Sequence, residues 1–398
     1  MQAGSSLVRK AVVFAAGEGT RLRPLTLNRP KHLLPLAGKP LIYWILKAVE
    51  YAGVREVGVV VHYKAEMIAS YLKKLDTELK IRCILQHKPN GTAGALEAAR
   101  NYIDGEEFLL VYGDVVVDRG DLKEMISLFR RGIYDAVVLG VQVENPWDYG
   151  VFRLKEGKLM ESVVEKPPRG QEPSNLINGG VYVFSSRILK FLDKVGFSVR
   201  GEKELTDALQ MLASRGKVFV YQTERRKWRD IGKPWDLLEA NGYLLRAYPP
   251  LIPKGGFSRG VVIREPVYIG KGVEIGDYSI IGPNVSIYDD VKIGRFSRVS
   301  NSIIMAGTKI GDRTSVNYSI VGENVVLGDK VTVLFRSEDR GNVKMVVKGR
   351  RVDTGRKEMG CVIGDEAIVG SGSLIKAGAV IFNKAVIPPG SVVEGVLK

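Results

Sequence analysis

Between Ala15 and Pro35 the chain reads AAGEGTRLRPLTLNRPKHLLP, and this stretch holds the residue types that grip polyphosphate. It follows an apolar run, Ala11-Val12-Val13-Phe14, whose length and β-branched content suit a buried strand. Gly17 and Gly19 allow a sharp bend that presents backbone N–H groups to a close ligand. Thr20 lies within the bend, and Arg21, Arg23 and Lys31 set cations beside it. A strand, a glycine turn and a run of cations describe a phosphate cradle. Two other phosphate loops do not fit. A dinucleotide fingerprint needs a third glycine where Leu22 stands, and a Walker loop needs a Gly-Lys-Ser/Thr that does not follow. A basic surface loop is the plain alternative. Pro24, Pro30 and Pro35 count against it, because they stiffen a segment that would otherwise need no stiffening.

Two more side chains stand where strands are expected to end. Gln86 comes five residues before Gly91, and its amide offers the donor and acceptor that match a pyrimidine imide edge. Its alternative is an exposed polar strand end. Asp114, in Tyr112-Gly113-Asp114, suits Mg²⁺, which takes one or two carboxylates together with phosphate oxygens. A turn cap is the alternative there.

The elements that must position these groups alternate along the chain. Lys39 to Ala52 reads as a helix with Leu41, Ile42, Ile45, Leu46 and Val49 as its apolar stripe and Gly53 at its stop. Glu56–Val61, Ile81–Gln86 and Phe108–Tyr112 read as strands, with helices at Ala65–Lys74 and Thr92–Arg100. Such alternation predicts a parallel α/β sheet with ligands at the strands' C-terminal ends, where the glycine loop, Gln86 and Asp114 all fall. Asp135–Val143, Tyr149–Leu154, Leu159–Glu165, Val181–Phe184 and Val218–Gln222 continue as strands, with helices at Leu205–Ser214 and Trp235–Arg246.

A proline- and glycine-rich joint, 248–256, divides a first domain, 1–247, from a second, 257–398. Beyond it Ile263, Ile269, Ile275, Ile281, Ile287, Ile293 and Val299 recur every sixth residue. The register slips by one and resumes at Ile304, Ile310 and Val316, then again at Val321, Leu327 and Val333. It returns at Ile363, Val369, Ile375, Ile381 and Ile387, after a charge-rich insertion at about 335–360 expected to project as an arm. A sixfold aliphatic period is neither helical nor alternating; it predicts a parallel β-helix whose coils stack like positions into columns.

With 398 residues, two domains are the expectation. No apolar run is long enough to span a bilayer, and the first ten residues lack a signal-peptide core. Cys83 and Cys361 define no disulfide framework, which fits a reducing cytoplasm. The formal net charge of +15 admits nucleic acid as a partner. The Lys and Arg residues, however, are scattered among acids without a basic arm or RNA-binding aromatic motif. Anionic small substrates are therefore expected, with no nucleic-acid and no membrane partner.

The string Gly17-x-Gly19-Thr20-Arg21-Leu22-x-Pro24-Leu25-Thr26, followed by Pro30-Lys31, closely resembles the signature of the sugar-1-phosphate nucleotidyltransferases. The resemblance implies a Rossmann-like nucleotidyltransferase domain whose glycine loop wraps a nucleoside triphosphate. Arg21 then matches the pyrophosphate-gripping arginine and Lys31 the phosphate-binding lysine. Gln86 matches the base-reading glutamine of the uridylyl- and thymidylyl-transferring branches. Asp114 matches the Mg²⁺ aspartate, and Asp230, in Trp228-Arg229-Asp230-Ile231-Gly232, the second metal carboxylate of the thymidylyltransferase branch. Glu165-Lys166-Pro167 resembles the segment whose glutamate holds a sugar hydroxyl and whose lysine grips the sugar phosphate. Gly150 and Asn178 fall in segments that line the sugar pocket. The implied reaction transfers UMP or dTMP from UTP or dTTP to glucose-1-phosphate or N-acetylglucosamine-1-phosphate. The Gly91-Thr92-Ala93-Gly94 string also resembles the mannose-1-phosphate guanylyltransferases, which stay as an alternative. A silent nucleotide-sugar-binding regulatory subunit is the non-enzymatic one.

The repeat region resembles the left-handed β-helix of hexapeptide-repeat proteins, which implies a homo-oligomer, with a trimer as first expectation. Bifunctional relatives use this domain to acetylate amino-sugar phosphates with a histidine as general base. This chain's histidines, His32, His62 and His87, all lie in the first domain, and Gly311 to Tyr318 supplies none. Asp312 is too weakly basic to replace one. Acetyltransferase activity is therefore expected to be absent.

Overall fold

The computed structural model describes residues 8–250 and 257–398. The first seven residues, part of the segment without a signal-peptide core, and 251–256 of the expected joint lie outside them. The chain divides into two compact units. One joins the residues up to Glu18 with Leu41–Asp230; the other joins Gly19–Pro40 with Ile231 onward. This division differs from a single break at 248–256, because Gly19–Pro40 and the helix after Asp230 group with the repeats.

The first unit begins with β1 (Lys10–Ala15) and α1 (Leu41–Tyr51), then β2 (Glu56–Val61), α2 (Ala65–Lys73), β3 (Lys80–Leu85) and α3 (Thr92–Ala98). It continues through β4 (Phe108–Tyr112), β5 (Val115–Val117), α4 (Arg119–Phe129), β6 (Ala136–Gln142), β7 (Gly150–Lys155), β8 (Leu159–Glu165) and β9 (Leu176–Phe184). It ends with α5 (Leu205–Ala213), β10 (Val218–Thr223) and β11 (Trp228–Asp230). The nine-stranded sheet has the order β3-β2-β1-β4-β9-β6-β10-β8-β7. Its first four strands are parallel, as the α/β alternation requires. The later strands depart from that pattern at β9, which runs antiparallel to both β4 and β6. The reason is local: β9 follows the antiparallel β7–β8 pair, without the crossover helix that parallel pairing needs.

α4 is a helix beyond those expected from the sequence. Its signal is a buried stripe at Leu122, Met125, Ile126 and Phe129, with Asp118 as N-cap accepting from the Gly120 N–H at 2.8 Å. The core of this unit gathers Phe108, Phe152, Tyr182 and Phe184 on the sheet against Leu205, Leu209 and Leu212 of α5.

In the second unit α6 (Pro234–Ala247) starts where Asp236 accepts from the N–H groups of Gly232 at 3.1 Å and Lys233 at 2.7 Å. The repeats then form three parallel sheets of seven, seven and six short strands, the arrangement of a left-handed β-helix. The sixfold columns face inward as read: Ile281 lies over Val299, Ile287 over Ile304 and Ile293 over Ile310, all buried. Between Val299 and Ile304 the turn is one residue shorter, with Asn301 in the left-handed region at φ 47°; this is the first register slip. The insertion forms a hairpin, Lys344–Val347 against Arg350–Asp353. Its root is packed: Val343, Met345 and Met359 are buried, and Arg356 pairs with Glu239 on α6. Among the described residues no helix is long and apolar enough to cross a membrane.

Candidate active site

The residues singled out in the sequence fall into both units, and each unit builds its own group. In the second unit Gly19 sits at φ 66°, and its carbonyl accepts from the Thr26 hydroxyl at 3.0 Å, folding the loop back on itself. A side chain here would strike Lys31 Cβ at 2.9 Å, so the glycine lets the lysine segment lie against the bend. Thr20 and Arg21 belong to a short 3₁₀ turn, Thr20–Leu22, and Lys31 opens another, Lys31–Leu33. Gly232 makes room for Arg21, since a Cβ there would stand 3.1 Å from the guanidinium Nη2. Arg21 and Lys31 thus belong to one folded body.

In the first unit Gly17 follows β1, Gln86 follows β3, Asp114 comes two residues after β4, Gly150 opens β7, Glu165 ends β8, Asn178 lies near the start of β9 and Asp230 ends β11. Asp230 pairs with Val115 across the antiparallel β5–β11 ladder, so Asp114, in the turn just before β5, comes one residue ahead of Asp230's partner. Trp228, fully buried on the same short strand, donates its indole N–H to the Gly179 carbonyl at 2.8 Å and ties this ladder to Asn178-Gly179-Gly180. Among the described residues no group of three or more His, Cys, Asp or Glu side chains gathers as a metal cluster. A pair of aspartates is the donor set for a hard divalent ion that completes its shell with phosphate oxygens and water. Asp114 and Asp230 fit that chemistry.

Glu165 is mostly buried. Its carboxylate accepts from the Thr206 hydroxyl at 3.3 Å, and Arg200 and Lys166 lie 3.4 and 3.9 Å away. Burial pushes the Glu165 carboxyl up from its ordinary value and Glu204 adds to this, while Lys166 and Arg200 oppose it. Gly150 faces the same carboxylate, with a virtual Cβ 3.0 Å from Oε2. Lys166 adopts the left-handed conformation, φ 44°, just past the strand. Asn178 donates to the Tyr182 hydroxyl at 2.6 Å, and Tyr182 donates in turn to Tyr112 at 3.2 Å. Burial raises both phenols, so this chain stays neutral and acts through hydrogen bonds.

Gln86 is buried, and its Nε2 donates to Asn90 Oδ1 at 3.2 Å and the Gly91 carbonyl at 3.5 Å. Its amide is therefore oriented by the loop that carries Gly91. Gly91 itself lies at φ 99°, and Thr92 accepts from the Leu205 N–H at 2.9 Å, joining α3 to α5.

Sequence reasoning missed Tyr112, Tyr182, Arg200, Glu204 and Thr206. Arg200 and Glu204 pair at i,i+4 before α5, and no local motif marks them. The tyrosines lie on strands whose periodicity announces only burial.

Residues 10–247 match the nucleotidyl transferase family, and residues 263–389 match the GMPPB C-terminal domain. A relative in Methanocaldococcus jannaschii named bifunctional protein GlmU is 36% identical over 379 residues, 90% of this chain and 88% of its own. Another in Sulfurisphaera tokodaii, named bifunctional sugar-1-phosphate nucleotidylyltransferase/acetyltransferase, is 34% identical over 97% of both chains. A solved structure of UDP-glucose pyrophosphorylase complexed with UDP-glucose aligns at TM-score 0.56 and 26% identity, covering 60% of this chain and 99% of that one.

Proposed function

The chain belongs to the nucleotidyl transferase family, and from that premise we propose that it moves UMP or dTMP from UTP or dTTP to glucose-1-phosphate or N-acetylglucosamine-1-phosphate. The Sulfurisphaera tokodaii relative, named for sugar-1-phosphate nucleotidyl transfer, supports this reading. The uridine nucleotide sugar named for the structural neighbour favours UTP.

An anionic oxygen of the sugar phosphate attacks the nucleotide α-phosphorus in line, a P–O bond forms, and the bond to pyrophosphate breaks. The nucleophile is already ionised near neutrality, so no side chain must accept a proton. Catalysis is then positioning and charge neutralisation. Arg21 holds the departing pyrophosphate, Lys31 the nucleotide phosphates and Lys166 the incoming phosphate, with Gly17, Gly19 and Thr20 shaping the loop. Glu165, Gly150 and Asn178 face the sugar, and Gln86, Gly91 and Thr92 the base. Asp114 and Asp230 would hold Mg²⁺, which neutralises phosphate charge when bound. The observation that carries this reading is the ladder that sets Asp230 beside the residue following Asp114.

We extend the reading to the β-helix, which serves assembly and not acetyl transfer. Asp312, half-buried beside Arg295, is held below the ordinary carboxylate range by hydrogen bonds from the Arg295 backbone and side chain, which makes it a still poorer base. The protein acts in the cytoplasm as a homo-oligomer, with a trimer first. A panel of four nucleoside triphosphates against hexose and amino-hexose phosphates, read by pyrophosphate release, tests the substrate. Preference for GTP with mannose-1-phosphate would replace it by the guanylyltransferase reading. Free thiol released from acetyl-CoA with glucosamine-1-phosphate would refute the assignment of the β-helix.

A further inference from the structure

The coils of the β-helix are stapled by a repeated device. At one corner an aspartate Oδ1 accepts the N–H of the coil before it: Asp277 from Arg259 at 3.0 Å, Asp289 from Lys271 at 2.9 Å, Asp312 from Arg295 at 2.7 Å and Asp329 from Asp312 at 2.8 Å. Asp365 makes the same contact, accepting from the Glu323 N–H at 2.9 Å across the inserted arm. The other aspartates are exposed or half-buried; Asp365 is 3% exposed.

What covers Asp365 is the cation-rich segment after the glycine bend. Arg29 sets its guanidinium fork on the carboxylate, Nη1 to Oδ1 at 3.2 Å and Nη2 to Oδ2 at 2.9 Å. Asn28 Nδ2 adds a bond to Oδ2 at 2.9 Å. Arg29 also reaches Glu323 at 2.8 Å and the Met305 sulfur at 3.2 Å, and its side chain is 8% exposed. A second anchor holds the far end of the segment. The Ala37 N–H donates to Asn241 Oδ1 at 2.9 Å and the Gly38 N–H to the Tyr288 hydroxyl at 3.1 Å. Lys31 lies between the anchors, two residues after Arg29.

We propose that Arg29 and Asp365 are positioning residues for the reaction: the β-helix clamps the segment bearing Lys31 and so sets the geometry of the phosphate cradle. The proposal rests on the reading of Arg21 and Lys31 as phosphate-gripping. A buried ion pair is a poor source of net stability, because desolvation cancels most of the attraction, and its best-attested use is to fix register. The stapling role needs only Oδ1. The fork on both oxygens is additional, and it binds a segment more than three hundred residues away in sequence. A misplacement of about 1 Å at a reacting centre costs about a hundredfold in rate, so such a tether has a use.

Asp365→Asn isolates this role. The asparagine keeps an acceptor for the Glu323 N–H, and so preserves the staple, while turning an amide toward the guanidinium. Asp329→Asn makes the same change at an exposed staple and is the structural control. In the full chain, Asp365→Asn is expected to raise KM for UTP at least tenfold with KM for the sugar phosphate unchanged, and to speed amide exchange across residues 31–36. Arg29→Lys should follow it, since an ammonium cannot reproduce the fork. A folded Asp365→Asn protein with wild-type exchange across 31–36 overturns the clamp. So does an equal kinetic effect of Asp329→Asn, which would make the loss one of coil stability. Lys31→Ala separates the two levels. If it leaves KM for UTP unaltered the cradle reading falls, whereas the exchange result still decides whether the β-helix anchors the segment.

Discussion

Gly91→Ala is a small change with a large expected effect. Gly91 lies at φ 99° and ψ −174°, in a region open almost only to glycine, and occupying it with alanine costs about 1 to 3 kcal/mol. The new methyl would also stand 2.5 Å from the Lys203 carbonyl oxygen and 2.8 Å from its nitrogen. Neither atom can step aside cheaply, because the Lys203 N–H donates to the Asn90 carbonyl at 2.8 Å and its carbonyl accepts from Ala93 at 2.9 Å. Overpacking of this kind adds about 1 to 3 kcal/mol. The upper sum rivals the stability of many domains, so the loop should give way locally and break one or both backbone bonds. That movement carries away the groups that orient the Gln86 amide. Urea unfolding of Gly91→Ala should therefore show a midpoint lowered by about 2 to 4 kcal/mol equivalent, with an unchanged slope. Pyrophosphate-release kinetics should show a raised KM for the nucleotide and a reduced preference for pyrimidine over purine triphosphates. A variant within about 0.5 kcal/mol of wild type that keeps its nucleotide preference would refute both the strain argument and the orientation of Gln86.

Asp114→Ala should lower turnover by several powers of ten with the melting temperature retained, because it removes charge stabilisation at the reacting phosphate; wild-type turnover would remove Asp114 from the site. Glu165→Gln tests the raised carboxyl among Lys166, Arg200, Glu204, Tyr112 and Tyr182. Because the folded pKa lies above the unfolded one, the wild type has its full contribution below about 4.5 and loses it as pH rises through the folded value. The melting-temperature difference, variant minus wild type, should therefore grow in the variant's favour from pH 4 to pH 7; a constant or shrinking difference would contradict the burial argument. Val326, Ile368 and Val386 stack in register on one outer sheet of the β-helix, 38%, 45% and 67% exposed, and form an apolar strip fit for self-association. Ile368→Glu with Val386→Glu should reduce the mass seen by light scattering to that of the monomer, and an unchanged mass would move the assembly surface elsewhere.

What could be read from the sequence follows the range over which each feature is dictated. The β-helix columns were legible residue by residue, because burial at Ile281, Ile287 and Ile293 is forced by a coil of fixed length and needs no distant partner. The parallel half of the sheet was legible for the same reason, through local alternation of strand and helix. The antiparallel insertion of β9 was not, since a strand's partner is chosen by topology and Val181–Phe184 would look alike in either direction. α4 carries a clean apolar stripe and an N-cap, so it too is dictated locally. The glycine loop has the composition of a phosphate cradle, but nothing in it distinguished Arg29 from Arg21 and Arg23 as the arginine that turns to the β-helix. Asp365 was hidden more deeply. It occupies a corner where the coils repeatedly place an aspartate, so its identity draws no attention, and only the burial beneath Arg29 separates it from Asp312 or Asp329. Long-range positioning of this kind is written in residues that already have a local reason to be what they are. It becomes visible only when the second oxygen of the carboxylate is asked what it touches.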